Sequence, residues 1–147
     1  MADNATIARS LYDAWNRRDF DEMVAAAAPD CTITMIGSGD TYEGPEGTRR
    51  YGTMWADAFP DGKITVENVV AQEDGVVVEF SGTGTHTGTL VTSMGSIPAT
   101  GRSMTIGMCD VLRFRDGKVA SQHSYLDTGA MMAQLGLLGE QSATTQR

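Results

Sequence analysis

Among the side chains able to move a proton, Asp110 stands in the least expected surroundings. It lies in "MTIGMCDVLRF", residues 104–114, where strand alternation puts Met104, Ile106, Met108, Leu112 and Phe114 on one face with Asp110 among them. An unpartnered ionised carboxylate is costly in such a place, so it must be paired, protonated or facing a cavity. A carboxyl group on the wall of an apolar cavity is a candidate general acid or base. The strand holding Val76, Val78 and Phe80 carries His86 to the same lining, which makes Asp110 and His86 the candidate catalytic pair. Each also has a structural reading: Asp110 as a carboxylate bonded to a neighbouring backbone group or tyrosine, His86 as an ordinary strand-end histidine.

Several other chemistries are disfavoured. The two histidines have no third ligand at usable spacing, so no metal is expected. The run "GTGTHTG" lies inside a strand pattern and opens no helix, unlike a phosphate loop, and its glycines suit a bend in the strand. Cys31 and Cys109 show neither CxxC nor metal spacing and read as reduced thiols of a cytoplasmic protein. Eleven Lys and Arg against nineteen Asp and Glu leave a net charge of -8, which repels nucleic acid and anionic lipid. No export signal and no membrane-spanning apolar run is visible.

The elements that must position these groups follow from period and punctuation. After a possible cap at Asn4, Ile7, Leu11 and Trp15 recur every four residues and predict a first helix ending near "NRRD". "DFDEMVAAAA" predicts a second, capped by Asp19 or Asp21, stopped by "APDC" and followed by short strands at "CTITMIG" and "TYE". Pro45 opens a third helix on which Tyr51, Trp55 and Phe59 form an aromatic face. These aromatics are core residues by spacing and candidate substrate contacts by chemistry. From residue 63 to 127 the pattern is β-rich, with "EDG" and "RDG" turns joining antiparallel strands and a flexible loop at "TLVTSMGSIPATG". In "KVASQHSYLD", alternation alone does not settle whether Val119, His123 and Tyr125 or Ala120, Gln122 and Ser124 face inward. "TGAMMAQLGLLG" predicts a C-terminal helix before a frayed tail. The result is one α+β domain over residues 1–139, a strongly curved antiparallel sheet wrapped around three helices, with a flexible tail at 140–147.

With this order of elements, "GPEG", "GTHTGTL", "PATGR", "DVLRFRDGKV" and "YLDTGAMMAQLGLL" make nearly the whole chain resemble the SnoaL-like polyketide cyclases of the NTF2-like superfamily. The resemblance implies a cone with an internal pocket and an intramolecular aldol ring closure by acid and base catalysis, without metal or cofactor. It places Ser124 where the family carries its catalytic aspartate, Asp110 where the family carries a histidine on the neighbouring strand, and His86 on a family histidine. Trp15 and Tyr51 fall on pocket-lining positions; Gln122 and Ser124 face inward and His123 outward. The candidate substrate contacts are thus Trp15, Tyr51, Trp55, Phe59, Met108, Gln122 and Ser124, around a hydrophobic or aromatic small molecule. A proton-shuttling isomerase or dehydratase, or a non-catalytic small-molecule binder, would use the same frame. An epoxide hydrolase is disfavoured because Arg113 and Arg115 fall on the outer face. That face also carries Thr105, Cys109 and Val111, with His123 and Tyr125 as further candidates, which predicts a homodimer or a dimer of dimers.

Overall fold

The computed structural model describes residues 3–93 and 95–138. Helices α1 (Asn4–Asn16) and α2 (Phe20–Ala25) precede strands β1 (Ala27–Met35) and β2 (Thr41–Glu43) and helix α3 (Gly44–Ala58). Strands β3 (Lys63–Gln72) and β4 (Gly75–Thr85), a small hairpin of β5 (Leu90–Thr92) and β6 (Gly95–Ile97), strands β7 (Ser103–Arg115) and β8 (Lys118–Leu126), and helix α4 (Thr128–Gln134) complete the order. Six strands form one curved sheet in the order β2-β1-β8-β7-β4-β3. Every pairing is antiparallel except β1 with β8.

Strand β7 forms the spine because its alternation is uninterrupted. Met104, Ile106, Asp110, Leu112 and Phe114 are all buried. Its register sets Val76 opposite Leu112, Val78 opposite Asp110 and Phe80 opposite Met108. Val76, Val78 and Leu112 are fully buried beneath α1, and burying such a side chain is worth roughly 1.5–3 kcal/mol. Helix α3 covers the β1 side, held there by Tyr51, Trp55 and Ala58. Gly88 lets the chain after β4 touch the end of this helix. A Cβ there would lie 1.9 Å from the Asp57 carbonyl oxygen, and the Gly88 N–H donates to the Ala58 carbonyl at 3.1 Å.

Several local expectations are corrected. The first helix is capped by Asp3, not Asn4, because the Asp3 carboxylate accepts the Thr6 N–H at 2.8 Å. The second helix is capped by Asp19 and stops at Ala25, with Ala27 and Ala28 extended in β1. Pairing of Ala27 with Val119, and the bond from the Val119 N–H to the Ala26 carbonyl, override the helical preference of alanine. The expected loop after residue 89 contains the β5–β6 hairpin, whose Leu90 is buried opposite Ile97. Helix α4 is shorter than expected, since Gly136 at φ 77° turns the chain just beyond it. The tail expected at 140–147 lies outside the described residues.

The ambiguity in β8 has a geometric cause. Arg113 pairs with Ser121 but Phe114 with Val119, so Ala120 is an extra residue in a β-bulge. The bulge changes the phase of the strand, and Val119 and Ser124 are both buried while His123 is exposed. Gln122 and Ser124 therefore face inward with Asp110.

Candidate active site

Between α1, α3 and the inner face of the sheet lies a cavity of about 100 Å³ whose walls are mostly apolar. Asp110 is part of its wall and is 2% exposed. Its Oδ2 accepts the Tyr12 hydroxyl at 2.7 Å and the Gln122 Nε2 at 3.3 Å. Gln122 Nε2 also donates to Ser124 Oγ at 2.9 Å, and Ser124 stands directly opposite Asp110 in the β7–β8 ladder. Asp110 Oδ1 is buried with no hydrogen-bond partner. One carboxylate oxygen is thus anchored by two donors, while the other makes no hydrogen bond of normal geometry, although the Ser124 hydroxyl acts on the carboxylate.

Burial dominates the proton affinity of this group. Loss of hydration pushes the Asp110 pKa up from 3.8 to about 6, against the opposing pull of the Tyr12 and Ser124 hydroxyls. Burial, reinforced by the Asp110 charge, holds the Tyr12 and Tyr51 phenols above the usual tyrosine range. Both therefore remain hydrogen-bond donors at neutral pH. Trp55 contributes a second unsatisfied atom, since its indole Nε1 is buried without a partner. Asp110 and Trp55, each with one buried polar atom that makes no hydrogen bond of normal geometry, belong to the same cavity wall.

Trp15, Tyr51, Trp55, Phe59, Met108, Gln122 and Asp110 all border the cavity. Ser124 is fully buried and touches Asp110's surroundings through Gln122 without lining the cavity. His86 is not brought to the lining; it is fully buried and stacks on Phe59, ring centroids 5.3 Å apart. Its Nδ1 accepts the Thr100 N–H at 3.2 Å, so the ring is neutral with its proton on Nε2, and burial keeps its pKa below the usual histidine value. His86 thereby holds the segment entering β7: its N–H donates to the Arg102 carbonyl and its carbonyl accepts from Gly101. Arg113 and Arg115 lie outside, paired with Asp74 and Asp30. Tyr12, bonded to Asp110 and lining the cavity, joins the candidate site although the stripe Ile7, Leu11 and Trp15 does not include it. Its signal was available, because Tyr12 lies four residues after Ala8 and three before Trp15 on the buried face of α1.

No group of three or more His, Cys, Asp or Glu among the described residues is placed to hold a metal ion. None of the described helices is long and apolar enough to cross a membrane.

A curved six-stranded sheet closed over helices, with a buried carboxylate on the wall of an apolar cavity, defines an NTF2-like α+β cone. Within that class the chain belongs to the SnoaL-like polyketide cyclase family, whose model matches residues 5–135. IdmH from Streptomyces antibioticus, a proposed polyketide cyclase, is 29% identical with a TM-score of 0.76, covering 92% of this chain and 99% of that one. A proposed SnoaL-like polyketide cyclase from Jannaschia sp. CCS1 shares the fold at a TM-score of 0.80 and 24% identity, covering 90% of each chain. AclR from Streptomyces galilaeus, a proposed hydroxylase, is 25% identical with a TM-score of 0.75, covering 92% of this chain and 85% of that one. No curated protein matches the chain.

Proposed function

We propose that the chain is an enzyme that moves protons at an enolisable carbonyl compound, with Asp110 as the base and ring closure by intramolecular aldol addition as its reaction. The observation that carries this reading is the buried Asp110 carboxyl group on the cavity wall, one oxygen of which is left without a hydrogen bond of normal geometry. A carboxyl group with a pKa of about 6 is largely ionised at neutral pH yet basic enough to accept a carbon-bound proton. Tyr12 and Gln122 hold its other oxygen and so fix the direction of the free one.

In the proposed step, Asp110 Oδ1 takes a proton from the carbon beside a carbonyl. The electron pair of that C–H bond forms an enolate, whose oxygen accepts the Trp55 Nε1–H. The enolate carbon attacks a second carbonyl of the same molecule and forms the new C–C bond. The resulting alkoxide recovers the proton from the Asp110 carboxylic acid. No electrons enter or leave, and the base is regenerated.

The same residues would serve a proton-shuttling isomerase, and the small volume of the cavity favours that variant for substrates with a single carbonyl. Uptake of solvent deuterium beside the carbonyl of an enolisable ketone tests the shared step. Catalysed uptake should rise with pH through an apparent pKa near 6 and disappear in Asp110→Asn. Uptake indifferent to that substitution would remove Asp110 as the base.

A further inference from the structure

Size, charge and unpaired atoms together narrow what this cavity can hold. Its volume is about 100 Å³. An engineered apolar cavity of about 150 Å³ takes benzene, whereas sites for drug-sized ligands run to roughly 300–1,000 Å³. The enclosed space holds at most one small ring.

The wall is pinned at the places where expansion would have to begin. Trp15 is held by its Nε1–H on the Gly52 carbonyl at 3.0 Å and by the Arg18 guanidinium 4.1 Å from its ring centroid. Tyr12 is tied to Asp110, and Phe59 is backed by the His86 ring. The adaptable part of the wall is thioether, notably Met104 and Met108.

Charge adds a second restriction. The charged residues on the lining are Asp110 and Lys63, and Lys63 is exposed at the rim. An anion inside would meet the Asp110 carboxylate with no buried cation to offset it. The polar atoms of the wall supply the third: Trp55 Nε1 and Asp110 Oδ1 make no hydrogen bond of normal geometry, and a ligand seated against them would offer an oxygen to the one and an acidic C–H or O–H to the other.

We propose that the site takes a neutral compound no larger than a single ring and bearing an enolisable carbonyl or an enolic hydroxyl, such as a cyclic enone or its enol, and excludes polycyclic aromatic esters. The assignment rests on the reading of Asp110 as the working base, and the test separates the two.

The intact protein is titrated calorimetrically with cyclohex-2-enone, phenol, benzoate and 1-hydroxyanthraquinone. The enone and phenol should bind at least about tenfold more tightly than benzoate or the anthraquinone, a difference of about 1.4 kcal/mol. An anthraquinone or benzoate that binds as tightly as phenol overturns the assignment, as does absence of binding by all four. Met108→Ala opens the thioether wall and should raise affinity for the bicyclic ketone 1-tetralone by about tenfold while leaving phenol within about threefold. Unchanged tetralone affinity in a variant with a normal melt contradicts the size argument. Deuterium uptake into the enone is followed in parallel. Loss of the size order with Asp110-dependent uptake retained overturns the ligand class alone. Retention of the size order with uptake indifferent to Asp110→Asn supports the ligand class and removes the base.

Discussion

Replacement of Asp110 by asparagine should make the protein more stable at alkaline pH, and the structure sets the size of the effect. The folded carboxyl has a pKa of about 6 against an ordinary value of 3.8, so the native state binds more protons than the unfolded state between those values. Stability is unaffected by this group below about pH 4, falls as pH rises through the window up to about 6, and the deficit persists above it. At about 1.4 kcal/mol per pKa unit the deficit comes to about 3 kcal/mol. The asparagine oxygen can still accept the Tyr12 hydroxyl, but its amide N–H replaces the unpaired Oδ1 and returns about 1 kcal/mol of cost. The net gain is about 2 kcal/mol near pH 8, equivalent to roughly 4–8 °C in Tm for a chain of this length. It should fall to zero at pH ~4.5 and reverse to a net loss of about 1 kcal/mol at lower pH, where the parent carboxyl is protonated and the cost of the amide remains. Thermal melts of parent and variant across this range measure it directly. A variant less stable than the parent by ~2 kcal/mol near pH 8 would mean that Asp110 is an ionised structural partner of Tyr12 and Gln122, and its role as base would fall.

Three further outcomes are expected. Tyr12→Phe removes a donor that favours the ionised carboxylate, so the Asp110 pKa should rise and the acid limb of the pH–rate profile move to higher pH, with about tenfold less activity near pH 7; an equal loss at every pH would assign Tyr12 to packing alone. Tyr51→Ala or Trp15→Ala should change the order of affinities in a ligand panel, because both side chains shape the cavity; an unchanged order would leave them as core residues. We also propose a homodimer packed through the outer face of the sheet, where Tyr125 is 44% exposed beside Cys109 and Val111. Light scattering at micromolar concentration should give twice the chain mass and Tyr125→Glu should halve it, while a monomeric parent would contradict the proposal.

The inward position of Asp110 was legible because β7 keeps a period of two along its whole inner face, and one acid among apolar neighbours is conspicuous there. The orientation of β8 was not, since the bulge at Ala120 changes the phase of the strand without any glycine or proline to mark it. Tyr12 is hidden for a similar reason. Counting in steps of four from Ile7 drifts across a helix of 3.6 residues per turn, so the stripe Ile7, Leu11, Trp15 runs along the edge of the face that Ala8, Tyr12 and Trp15 bury. His86 points inward as alternation requires, yet its partner is Thr100, a contact made by a connection no periodicity describes. Trp55 was legible as an aromatic of α3, but the unpaired state of its Nε1 depends on what surrounds it in three dimensions.

The central claim is that the chain holds a half-anchored, desolvated carboxyl group poised to accept a proton inside an apolar cavity. Carbon-13 NMR of the aspartate carboxyl resonances, with Asp110 assigned by its absence in Asp110→Asn, measures its titration in the intact protein. The account predicts an apparent pKa of about 6 and a carboxyl resonance that shifts when phenol binds. A pKa of ~4 or below, with a resonance indifferent to phenol, would show a carboxylate fully satisfied by the protein and would contradict the account.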